Sequence, residues 1–250
     1  MTPATLIARK EAGELLFSLR GLAWLLALCA ALSSFTLLLV GSTELSLLDN
    51  AQVVCDMAGL ITVLASLLAL IVGIDATAGE RERGSLVPLL LIPTPRRMIL
   101  LGKLGGILIA WIAMFLLSIP YLWAVGSTGQ NLAEGVALVA ILGTPVVLTF
   151  GFLGMALGSW MPSARACLMT GMIALAVSAS PLVIGPSLRQ SAIGRIFDAI
   201  NPLSGTVNAY DAVIIDGKPI IAQWPGLVLA LAWLAIVLAS AVAAFDRLSR

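Results

Sequence analysis

The chain has 250 residues, of which 60% are hydrophobic and 11% charged, with a net charge of +1. A soluble domain carries about 25% charged residues to hydrate its surface, so this composition excludes an ordinary water-soluble globule and requires most of the surface to face lipid. No basic patch with interleaved aromatics supports nucleic-acid binding, and the absence of histidine removes the commonest metal ligand and general base.

Residues 3–20 predict a short amphipathic helix. Thr2 can cap it and Pro3 suits its first turn. Leu6, Ile7, Leu15, Leu16 and Leu19 form the apolar side, and Arg9, Lys10, Glu11, Glu14 and Arg20 the wet side, as in a helix lying in the membrane interface. The apolar run that follows is too long for a signal-peptide core and no cleavage site closes it, so an uncleaved first span is expected. Six stretches reach the roughly 20 apolar residues needed to cross a bilayer as a helix: about 21–41, 53–74, 102–125, 135–159, 166–186 and 225–245. They are continuous and do not alternate, which argues against strands. The expected fold is one all-α polytopic membrane domain over residues 1–250, with six spans.

Lysine and arginine set the orientation. With the N-terminus inside, the inner segments hold eleven of them: Arg9, Lys10, Arg20, Arg81, Arg83, Arg96, Arg97, Lys103, Arg165, Arg247 and Arg250. The outer segments hold three: Arg189, Arg195 and Lys218. Both termini are expected in the cytoplasm.

Inside the spans most features are structural. Cys29, Cys55 and Cys167 sit far apart in apolar runs, without zinc or disulfide spacing. Gly151, Gly154 and Gly158 place small residues on nearby helix faces and allow close approach, and Pro120 and Pro145 are expected to kink their helices. Asp56, just inside the outer end of the second span, reads either as an interface carboxylate reaching headgroup water or as a polar group lining a pathway. The outer segment 187–223 carries apolar residues at helical spacing, broken at Asn201-Pro202 and Asp216-Gly217. One or two short helices at the outer face are expected, as a lid, a docking surface for an extracytoplasmic partner, or a packing cap.

The segment Asp75–Lys103 stands apart. Its 29 residues hold eight of the chain's 27 charged side chains and three of its twelve prolines. Asp75 is expected to close the second span, and Gly79 and Gly84 to act as hinges around Glu80-Arg81-Glu82-Arg83. Ser85 can then cap a short helix over Leu86–Ile92, with Pro88 in its first turn and Pro93 ending it. Thr94-Pro95 starts the next helix. Leu86-Val87-Pro88-Leu89-Leu90-Leu91-Ile92 is too short to span and too apolar to hang in water, where each buried leucine would gain roughly 1.5–3 kcal/mol. It fits a helix that inserts into a partner's groove. Arg96, Arg97 and Lys103 are expected to anchor the third span at the inner leaflet.

The pattern D-A-x-x-G-E-x-x-x-G-S-L-x-x-L-L-x-x-P-x-x-R-x-x-x-L-x-G-K resembles the loop between the second and third spans of ABC type-2 permeases, and among them the NosY-type permeases. Ile7–Glu11 (IARKE), the six-span plan and Asn201-Pro202 extend the likeness. Gly84-Ser85 stands where the family often has Gly-Thr, and the ERER run is more basic than the usual acidic cluster. The resemblance implies a permease subunit, working as a homodimer with two copies of a separate ABC ATPase in the bacterial inner membrane. It implies an ATPase-coupling contact from Glu80, Glu82, Gly84, Ser85, Leu86, Leu89, Leu90 and Pro93, an interfacial helix at 3–20 and re-entrant outer helices at 187–223.

ATP and magnesium would sit on the partner. The chain's two Gly-Lys pairs, Gly102-Lys103 and Gly217-Lys218, lack the upstream glycine and following hydroxyl of a phosphate-binding loop, and no cofactor is expected in this chain. An intramembrane enzyme is the other class of reading. Asp56 and Asp75 lie about 28 Å apart along one helix at 1.5 Å per residue, too far for a dyad. Export of a cargo, and mechanical transmission to an outer partner of the kind needed in copper-enzyme maturation, both stay open.

Overall fold

The computed structural model describes residues 3–41, 50–85, 95–126, 131–183 and 191–247. Among them the elements run α1 (Pro3–Phe17), α2 (Leu19–Gly41), α3 (Asn50–Glu82), α4 (Arg96–Gly126), α5 (Leu132–Trp160), α6 (Ala164–Val183), α7 (Ala192–Ile200), α8 (Pro202–Ile214) and α9 (Trp224–Arg247), with no strand. Six of these helices (α2 to α6 and α9) are long and apolar enough to cross a membrane. The protein is an all-helical, multi-pass membrane protein.

Burial sorts the spans. α3 and α5 form the centre, with Leu70, Ile74, Phe150 and Met155 packed out of reach of solvent. α2, α6 and α9 are peripheral and turn Leu37, Met169, Ile173 and Ile236 outward, as helices facing hydrocarbon do. The central contact is possible because glycine meets backbone. A Cβ on Gly73 would strike the carbonyl oxygen of Gly151, one on Gly154 that of Leu70, and one on Gly158 the Thr77 hydroxyl. The glycine row of the fourth span is thus where α3 lies, consistent with small residues setting helix approach in lipid.

Two buried hydroxyls at the centre of α3 are satisfied within their own helix. Thr62 Oγ1 donates to the Ala58 carbonyl at 2.9 Å and Ser66 Oγ to that of Thr62 at 2.7 Å, as a water-free core requires. Two π-helical turns interrupt the spans, at Asp75–Gly79 in α3 and Val139–Gly143 in α5. The second directly precedes Pro145, whose ring would otherwise meet a carbonyl four residues back.

The bundle has two ends. The base carries Arg83 and Lys103, and the far end carries Asn50 and α7. Of the two helices expected to lie on the outer face, α7 is largely exposed, whereas α8 is inserted. Pro202, Leu203, Ser204, Thr206, Ala209, Tyr210, Val213 and Ile214 of α8 are buried. Tyr210 is fully buried and its hydroxyl lies 3.0 Å from Thr62 Oγ1, in a slot left open by Gly143. Asn201 caps α8 by accepting from the Leu203 N–H at 3.1 Å, and Pro202 follows at the first position, where a missing N–H costs nothing. Sequence periodicity marked these helices, while their depth follows from contacts on α3 that periodicity does not encode.

Gly154→Val is expected to destabilise the protein by about 1–3 kcal/mol through overpacking, read as a lower midpoint of thermal unfolding in detergent. Gly13→Ala, where a Cβ meets nothing within 4 Å, should leave that midpoint unchanged or slightly raised.

Candidate coupling site

The base is organised by Lys103 and Glu80. Asp75 does not end the second span: α3 runs through its π turn to Glu82. Gly79 is helical there, and a Cβ on it would strike the Asp75 carboxylate, so it is a close-approach position and not a hinge. Continuing the helix places Gly73, Thr77 and Glu80 at i, i+4 and i+7, on the face turned into the bundle.

The side chain of Glu80 is 3% exposed and that of Lys103 0%. The Lys103 ammonium lies 2.5 Å from Glu80 Oε2 and 3.1 Å from Glu11 Oε1, and Lys10 reaches Glu80 Oε1 at 2.9 Å. Two carboxylates and two ammonium groups from α1, α3 and α4 therefore share one knot, buried at Glu80 and Lys103 and open to solvent at Lys10. α1 can lie that close because Gly105 and Gly106 face it, and a Cβ on Gly106 would come within 2.6 Å of the Glu11 Cβ. Burial raises the Glu11 carboxyl above its ordinary value, outweighing the pull of Lys103, because it shares that one ammonium with Glu80. Burial lowers the Lys10 ammonium, yet its bond to Glu80 wins and the net direction is upward.

The remaining charges of the ERER run are also used within the chain. Arg81 donates to the Met161 carbonyl. Glu82 Oε1 accepts the Ala164 N–H at 2.7 Å, satisfying an open donor at the start of α6. Arg83 donates both guanidinium nitrogens to Asp75 at 3.0 and 3.1 Å, which raises its pKa above the ordinary value. α3 ends in a Schellman turn. The Ser85 N–H donates to the Glu80 carbonyl at 3.0 Å and the Gly84 N–H to that of Arg81 at 3.1 Å, with Gly84 at φ +71, a conformation that favours glycine.

Several sequence expectations change here. Lys103 is no headgroup anchor: it is sealed from solvent by its carboxylates. Glu80 is no surface contact for a partner, for the same reason, and Glu82 is committed to the first turn of α6. Ser85 closes α3, its Oγ donating to the Glu80 carbonyl at 3.2 Å. Arg96 opens α4 and Arg97 beside it is exposed. The expected helix with Leu86, Leu89, Leu90 and Pro93 lies outside the described residues. The parts sequence reading missed are Lys10 and Glu11 as partners of the knot, Arg83 as partner of Asp75, and Gly105-Gly106 as the seat of α1.

Two clefts carry other charged groups. Glu11, Glu14, Asp75 and Arg83 line one of about 530 Å³ at the base, between α1, α2 and α3. At the far end Asp56 accepts from Gln52 Nε2 at 3.0 Å and lines a cleft of about 620 Å³ with Asn208 and Asp211 of α8. The structure thus brings Asp56 to a cleft that it shares with Cys55 and Asp211. Among the described residues no group of three or more metal-ligating side chains converges.

The six spans and a base built around the 75–103 segment agree with the family comparison: a model described as "ABC-2 family transporter protein" matches residues 5–250. The chain belongs to the ABC-2 transporter family. A curated relative, the probable ABC transporter permease protein NosY of Stutzerimonas stutzeri, is 38% identical over 108 residues, covering 40% of this chain and 37% of that protein. The match spans little more than a third of that relative's length.

Glu80→Gln should cost about 3–5 kcal/mol, because it takes away the charge that pairs with a buried ammonium. In a thermal-denaturation cycle, adding Lys103→Met to it should cost clearly less than the sum of the two single changes, since the double variant removes both members of the pair.

Proposed function

We propose that this ABC-2 family member is the permease subunit of an ABC transporter, receiving ATP-driven motion at its base and passing it through α3. The observation that supports the reading most is the buried Glu80–Lys103 pair, joined by Glu11 and Lys10 of α1, immediately before the apolar 86–92 segment. A partner that grips that segment pulls on the Schellman end of α3, and the knot ties that end to α1 and α4 together. The segment needs a groove on the partner, because its leucines cannot rest in water.

The partner in this reading is a separate ABC ATPase, present in two copies and carrying the ATP and magnesium, with the permease as a homodimer. In this reading the protein lies in a bacterial inner membrane with both termini in the cytoplasm, which the excess of lysine and arginine at the base supports. Leu86, Leu89, Leu90 and Pro93 make the docking contact, Gly84 and Ser85 set its angle, and Glu80 and Glu82 act behind it by holding the end of α3. α1 lies along the inner interface.

Beside export of a cargo, one observation favours mechanical transmission to a partner outside. α8 is bonded to α3 through Tyr210 and Thr62, so movement of α3 reaches the far-end helices directly. The named relative is a NosY permease, and a periplasmic protein docking on 187–223 is the corresponding partner.

Replacing Leu86, Leu89 and Leu90 by serine is expected to abolish copurification of the ATPase, or to return its activity to that of the isolated ATPase, at least a fivefold change where the permease stimulates turnover. Membrane insertion should be unaffected. Normal binding and stimulation by that variant would sink the docking reading.

A further inference from the structure

An apolar cavity of about 620 Å³ lies at the far end, enclosed by α5, α6, α7 and α9. Its roof is the apolar side of α7, with Ile196, Phe197 and Ile200, and its walls include Leu153, Ala174 and Val177. The joint between α7 and α8 is latched above it from both sides. Trp233 Nε1 of α9 donates to the Ile200 carbonyl at 2.8 Å, and Asn201 Nδ2 donates to the Ser178 carbonyl of α6 at 2.6 Å. Thr149, also on the wall, donates its hydroxyl to the Pro145 carbonyl at 2.7 Å. The side-chain donors of Trp233, Asn201 and Thr149 are thus taken up by backbone carbonyls.

Such a space cannot stay as it is. Water is unstable in an apolar cavity without polar partners, and an empty one costs free energy in proportion to its volume. The cavity is open: Val177, Ile196 and Ile200 at its mouth are 51%, 62% and 53% exposed. That mouth lies beside α6 and α9, two peripheral membrane-length helices, so the medium that meets it is hydrocarbon.

We propose that this cavity is a lipid site, filled by one acyl chain of a phospholipid drawn from the adjacent leaflet. The chain supplies the contacts that α7 lacks on its inner side and wedges the latched joint against α6 and α9. The headgroup stays at the mouth, because nothing inside the cavity would receive it. The site is independent of the coupling reading and of which leaflet is cytoplasmic.

The test uses the full chain purified in mild detergent after washing away loosely held lipid, with native mass spectrometry as the readout. About one phospholipid per chain is expected on the wild type, and at least fivefold less on Ala174→Trp, which fills the cavity, and on Val177→Trp, which blocks its mouth. Ile112→Trp, at an exposed position on α4, should retain the lipid. A photocrosslinking residue in place of Phe197 should add the mass of one phospholipid. Equal lipid on the wild type and on whichever of the two cavity variants folds would overturn the proposal. So would a Phe197 crosslink to a second copy of this chain, or no crosslink at all.

Discussion

An ammonium removed from water has to be met by carboxylates, and Lys103 is met by two. Glu80 comes from the end of α3 and Glu11 from α1, while Lys103 itself stands about two turns into α4. No two of these helices can separate at the base without exposing or orphaning a buried charge, and leaving one unpaired costs several kcal/mol. That penalty helps fix the position of α1, which also packs Ile7 against the core. It also fixes the end of α3, from which the chain leaves toward the 86–94 segment. Gly105 and Gly106 are part of the same arrangement, because the carboxylate reaches Lys103 only if α1 lies almost on the backbone of α4.

The six-span plan was legible because continuous apolar runs need no tertiary information to be recognised, and the glycine row of α5 was legible for a similar reason, being local and periodic. The base was not. A count of basic residues sets orientation but cannot tell a lysine that reaches headgroups from one that is paired in the interior. Lys103 and its two carboxylates are separated by 92 and 23 residues, so no local pattern joins them. The end of α3 was misplaced because a charged aspartate after a long apolar run looks like a terminus. Its true continuation was written in the spacing of Gly73, Thr77 and Glu80, a small-to-polar face that only makes sense if the helix goes on. At the far end, Asn201-Pro202 announced a helix start correctly, while the burial of Tyr210 depends on Thr62 and Gly143 in distant helices.

The two kinds of charge at the base differ in cost, and the difference bears on how movement would pass through it. Asp75 and Arg83 form a bidentate pair, but both are substantially exposed. A pair of that kind is worth about 0–1 kcal/mol, so it can open readily. The knot around Lys103 cannot. The π turn Asp75–Gly79, a place where a helix accommodates an extra residue and can change its register, starts at one member of the exposed pair and ends beside Glu80. Beyond it α3 is held rigidly, backbone against glycine on α5, up to the Thr62–Tyr210 bond, about 27 Å above Glu80 at 1.5 Å per residue. A pull on Gly84 and Ser85 would therefore first open the Asp75–Arg83 brace, while Glu80, held in the knot, stands between that pull and the π turn. Only a pull that shifts the knot as a whole would carry α1, α3 and α4 together and reach α8. On this reasoning the exposed pair absorbs weak or undirected motion of the loop, and the buried one passes on what remains.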